Sequence, residues 1–120
     1  MMRRAQVPDE KWQSAKDEVR SILVERARQG KDITFGELSG QIGALDVKPN
    51  DPLLFQLLDE ISAEAATQGN GMLSALVVRK SGDQKPGPGF FELASRLGRD
   101  TTDKTRCWVR EINKVYKDYT

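Results

Sequence analysis

No histidine occurs anywhere in this chain, and cysteine occurs once, at Cys107. The first absence removes imidazole bases, His-based metal sites and the usual nucleophile–base pairs. The second removes any internal disulfide, which fits a reducing, cytoplasmic setting. Aromatic residues make up only 7% of the sequence. No apolar run approaches the roughly 20 residues that span a bilayer, so no membrane partner is expected. The opening "MMRRAQVPDE" has two arginines with no apolar stretch behind them and does not read as a secretory signal. A further absence is local. Residues 49–78 contain neither lysine nor arginine, only the acids Asp51, Asp59, Glu60 and Glu64.

What is present is 120 residues, 38% hydrophobic and 31% charged, with a net charge of +1. That length suits one domain and can bury roughly 65% of the unfolded surface. The charge is segmented. Residues 1–48 carry nine basic and eight acidic residues, and residues 79–120 carry ten basic and six acidic. A polyanion should therefore prefer the last third of the chain.

Hydrophobic periodicity predicts a first helix over about 8–29, with Trp12, Ala15, Val19, Ile22, Leu23 and Ala27 on one face and Gly30 as its stop. After the extended "DITF", Thr34 and Glu37 have the spacing of a capping box opening a short helix, "FGELSGQIG". Asp51 and Pro52 suit the N-cap and first position of a third helix, running to about Gln68 with Leu54, Leu57, Leu58, Ile61 and Ala65 facing inward. "MLSALVVRK" is short and rich in β-branched residues, so it reads as a strand. "SGDQKPGPG" reads as a turn held semi-rigid by proline, and "FFE" as the returning strand. A helical turn or two in "LASRLG" precedes a last helix from about Thr102, striped with Trp108, Ile112, Val115 and Tyr119. Trp12 and Trp108 read as core anchors joining the terminal helices.

That order predicts an α+β winged helix-turn-helix: a three-helix core, a small antiparallel β-hairpin as the wing, and extra C-terminal helices. The expected unit is a single domain over 1–120, with its core over 8–92 and a helical extension over 93–120.

"ITFGELSGQIG", followed about thirty residues later by "LSALVVRKSGDQKPGPGFF", resembles the winged-helix DNA-binding domain of the alkylguanine-DNA alkyltransferases. The likeness covers roughly residues 32–91. It rests on Thr34, Phe35, Gly36, Glu37, Leu38, Gly43, Val77, Val78, Gly82, Gly89 and Phe90. Where the family motif places its acceptor cysteine, histidine and arginine, this chain has Ser74, Ala75 and Leu76. Alkyl transfer needs a thiolate activated by a neighbouring base, so the resemblance implies the fold without the enzyme. Catalytic residues, cofactors and metal ligands are expected to be none, and Cys107 reads as a small core residue.

Two functions follow as expectations. The first is a non-catalytic nucleic-acid-binding protein that contacts the phosphates of DNA or RNA through the wing and the basic C-terminal segment. Its contacts would be Arg79, Lys80, Lys85, Arg96, Arg99 and Arg106, because the third helix carries no cation to face a phosphate backbone. The alternative is a protein-interaction or regulatory adaptor module that offers Asp59, Glu60 and Glu64 to a basic protein or to a second copy of itself.

Overall fold

The computed structural model describes residues 3–79, 86 and 88–120. Helix α1, Asp9–Arg28, buries Trp12, Ala15, Val19, Leu23 and Ala27 along one stripe, with Asp9 and Glu10 at its positive end. Strand β1 is Ile33–Thr34, and helix α2 is Phe35–Gln41. The capping box between them forms as expected: the Glu37 amide donates to Thr34 Oγ1 at 3.1 Å, and the Thr34 amide to Glu37 Oε1 at 3.3 Å. Helix α3, Pro52–Thr67, begins with the Leu53 amide donating to Asp51 Oδ1 at 2.9 Å. A 3-10 turn, Leu73–Leu76, leads into strand β2, Val77–Val78. Helix α4, Pro88–Arg96, and helix α5, Lys104–Tyr119, complete the chain. Among the described residues no helix is long and apolar enough to cross a membrane.

The winged-helix expectation is overturned. The structure is mostly helical, and its sheet among the described residues is two strands pairing in parallel, Ile33 with Val77 and Thr34 with Val78. Parallel pairing needs a crossover, here supplied by α2 and α3. "FFE" is not a returning strand but part of α4, so among the described residues no antiparallel wing forms. The reason lies in the periodicity beyond the two phenylalanines. Phe90, Leu93 and Ala94 are all buried in one cluster with Met72, Ala75 and Cys107. Those positions share a face at helical spacing but fall on opposite faces of a strand. The expected turn, "SGDQKPGPG", lies largely outside the described residues.

The expected strand over 72–80 contracts to Val77–Val78 because the residues before it serve two cores at once. Leu73 and Leu76 join the main cluster with Val19, Leu23, Leu54, Leu57 and Val115, whereas Met72 and Ala75 join the second with Phe90 and Leu93. A 3-10 turn sends successive side chains in more than two directions, which an alternating strand cannot do. Around this buried turn pack α1, α3 and α5. Each tryptophan ties its helix inward: Trp12 Nε1 donates to Glu60 of α3 at 3.0 Å, and Trp108 Nε1 to the Ala75 carbonyl at 2.9 Å. They reach central elements rather than joining one terminal helix to the other.

Candidate functional site: an aromatic pocket and a basic helix face

Two surface features carry chemistry. The first is a cavity of about 220 Å³ where α2, α3, β2 and α4 meet. Phe35, Phe55 and Phe90 supply its aromatic wall, Leu58 and Val77 its aliphatic lining, and Asp59 and Ser74 its polar groups. Phe35 and Phe55 stand edge to face with ring centres 5.7 Å apart. Phe55 is 43% exposed and forms part of the lining, whereas Phe90 is buried. On α3 the positions Phe55, Leu58, Asp59 and Ser62 follow helical spacing, so one helix face builds this side of the junction.

Ser74 occupies the position where the resemblance would set an acceptor cysteine. Its amide donates to Ser62 Oγ at 3.0 Å, and the Ser62 hydroxyl donates to Ser74 Oγ at 2.6 Å. Its side chain is thus held by another serine and not by a base. Asp59 is half-buried. Burial pushes its carboxyl above the ordinary carboxylate range, Arg96 opposes that shift, and Glu92 and Glu60 add to it.

The acidic trio of α3 is divided by the fold. Glu60 and Glu64 turn toward α1, where Lys16 Nζ sits 3.1 Å from Glu60 and 2.9 Å from Glu64, and Arg20 also pairs with Glu64. Burial alone would lower the Lys16 pKa, but the two glutamates outweigh it and hold it above the usual lysine value. Burial would likewise raise Glu60, yet Trp12, Lys16 and Gln56 outweigh it and hold that carboxyl low. Glu60 and Glu64 therefore act as internal partners. Asp59 alone of the three lines the pocket.

The second feature is the outer face of α5. Cys107, Glu111 and Val115 point into the protein, which leaves Arg106, Arg110, Asn113 and Lys117 on the opposite side, all exposed. Glu111 is buried and paired with Arg99 Nε at 2.7 Å. Asp118 accepts from the Gly71 amide at 2.8 Å and pairs with Lys114 at 3.0 Å. Within the helix the stripe from Arg106 to Lys117 thus carries no acidic side chain and extends roughly 16 Å at the α-helical rise, with Asp100 and Asp103 bordering it beside Arg106 and Arg110. At its start Arg106, 82% exposed, lies 3.8 Å from Asp103.

Of the six cations expected to meet phosphate, Lys80 and Lys85 lie outside the described residues. Arg79 is exposed just after β2. Arg99 has its guanidinium committed to Glu111 and to the Leu97 carbonyl. It shares a surface depression with Arg110, which in turn shares another with Arg106. Arg96 is set apart beside Lys104. Arg110 and Lys117 were missed as contact residues, although their spacing from Arg106 marks the face opposite Cys107 and Val115. Phe55 was missed because it falls outside the apolar stripe of α3.

No family model, curated protein or solved structure matches this chain.

Proposed function

We propose that the protein is a non-catalytic nucleic-acid-binding protein whose phosphate-facing surface is the outer face of α5. The observation that carries this reading is the row Arg106, Arg110 and Lys117, exposed on one face while both acids of the same helix are engaged inward by Arg99, Lys114 and the Gly71 amide. A rigid helix carrying cations of one sign follows a phosphate backbone through counterion release and needs no base contact. Arg96 and Arg79, both exposed, widen the basic surface. The non-catalytic part of the reading is supported by the chain's lack of histidine and by Ser74, whose hydroxyl is paired with Ser62.

Binding is expected to be weak and salt-sensitive, with a Kd on the order of 10⁻⁴–10⁻⁶ M at physiological salt. Fluorescence anisotropy with labelled single- and double-stranded oligonucleotides over a salt series measures it. Reversing Arg106, Arg110 and Lys117 to glutamate is expected to abolish binding, and neutralising one of them should lower the salt slope by about one. Retention of the triple variant equal to wild type at low salt removes the proposal.

A further inference from the structure

The aromatic pocket is distinct from the basic face and presents the opposite chemistry. Its walls are hydrocarbon, and three of its lining side chains are phenyl rings. The face of such a ring is electronegative and attracts a cation within about 6 Å of its centre. Among the described residues, the one charged group in the lining is the Asp59 carboxylate. Among the described residues it has no ion-pair partner within 4 Å, although Arg96, Glu92 and Glu60 all act on it from farther away. A carboxylate set among phenyl rings loses hydration and gains nothing from a neutral apolar guest. A cation on an apolar stem satisfies both the ring faces and the charge.

We propose that this pocket receives the aliphatic ammonium head of a lysine side chain, methylated or not, from a partner protein. Asp59 supplies the counter-charge, Phe35, Phe55 and Phe90 surround the head, and the stem lies against Leu58 and Val77. Phe55 points to a protein-borne cation over a free small one. It and Val109 are the exposed large hydrophobics among the described residues, and Phe55 is continuous with the pocket. A lone ammonium ion leaves the outer edge of that ring in water, whereas the backbone and neighbours of a docked lysine cover it. The raised Asp59 carboxyl is consistent with a charge that the free protein holds at a cost and that a bound cation would relieve.

The test is a set of NMR titrations of the full chain with short, otherwise uncharged peptides carrying lysine, trimethyllysine or the uncharged tert-butyl isostere of trimethyllysine, together with choline chloride. Both cationic peptides are expected to shift the amides of Phe55, Asp59, Ser74 and Phe90. The isostere is expected to bind about fivefold or more weakly, the scale of a cation–π contact with its counter-ion. Asp59→Asn should weaken the cationic peptides by a similar factor, while the triple reversal on α5 should leave them unchanged, which separates this site from the nucleic-acid face. Circular dichroism confirms that Asp59→Asn is folded. Equal binding of the uncharged isostere, or shifts that map away from the pocket, overturns the proposal. Choline binding as tightly as the peptides overturns its assignment to a partner's side chain.

Discussion

Burial lifts the Asp59 carboxyl above the ordinary range, so the folded chain at neutral pH holds a charge that it accommodates less well than the unfolded chain does. A carboxyl raised on folding contributes stability below its unfolded pKa and loses that contribution as pH rises through the folded value. Asp59→Asn is therefore expected to raise Tm at pH 7, with the gain shrinking as pH falls toward the carboxylate range. Glu60, held low by Trp12, Lys16 and Gln56 against its burial, has the opposite sign. Its contribution is present above the unfolded pKa and is lost as pH falls through the depressed one, so Glu60→Gln should lower Tm at neutral pH. Melting curves of both variants between pH 4 and 8 check the two signs together. That adjacent carboxylates on one helix have opposite consequences was not legible in "LLDEIS". Neighbours in sequence point about 100° apart on a helix, and which side meets Lys16 and which meets phenyl rings depends on what packs there.

Gly71 sets a second constraint at the level of single atoms. A Cβ at this position would lie 2.8 Å from Val115 Cγ2 and 2.9 Å from the Val115 amide nitrogen. The second of those neighbours is backbone and cannot rotate away, so α5 itself would have to shift. Gly71→Ala is expected to cost about 1–3 kcal/mol, the range for overpacking, and to loosen the bond from the Gly71 amide to Asp118. Chemical denaturation gives the loss directly, and an unchanged midpoint refutes the close approach.

Among the elements, the helix ends were the most legible part of the sequence. Thr34 with Glu37, and Asp51 with Pro52, form the caps that their spacing predicts. Gly98 ends α4 in the left-handed region at φ 86°, with its amide on the Ser95 carbonyl and that of Arg99 on Ala94. Gly98→Ala places a Cβ in a conformation costing about 1–2 kcal/mol and is expected to lower stability by that order. Denaturant melts measure it, and a neutral effect would argue against the helical end. From sequence the Phe90–Phe91 pair reads as a strand because a short apolar run has no decisive period of its own. Extending the window to Phe90, Leu93, Ala94 and Leu97 brings out the helical stripe. The clue was present, but it lay beyond the three residues that looked like a returning strand.

At the scale of the whole molecule, the described acids and cations meet different fates. Two of the four acids of the middle segment, Glu60 and Glu64, are neutralised from within by Lys16 and Arg20, while the basic last third leaves Arg106, Arg110 and Lys117 on the outside of α5. The segment-wise charge read from the sequence foretold a basic end. It did not show that Arg99 would be spent on a buried glutamate, nor that Arg110 and Lys117 would complete the row begun by Arg106. Nor did it show that Leu73–Leu76 would lie between two clusters and so place Ser74 at a pocket.

By itself the sequence determined the local quantities: which residues cap a helix, which stripe of α1, α3 or α5 is apolar, where a glycine stops a turn, and that no imidazole is available. These depend on contacts within a few residues along the chain, which spacing encodes. Tertiary structure alone decided the sense of strand pairing, the division of the α3 acids and the meeting of Phe35, Phe55 and Phe90. Each of these joins residues far apart in the chain, and their separation in space is set by the packing of whole helices, which no local pattern records.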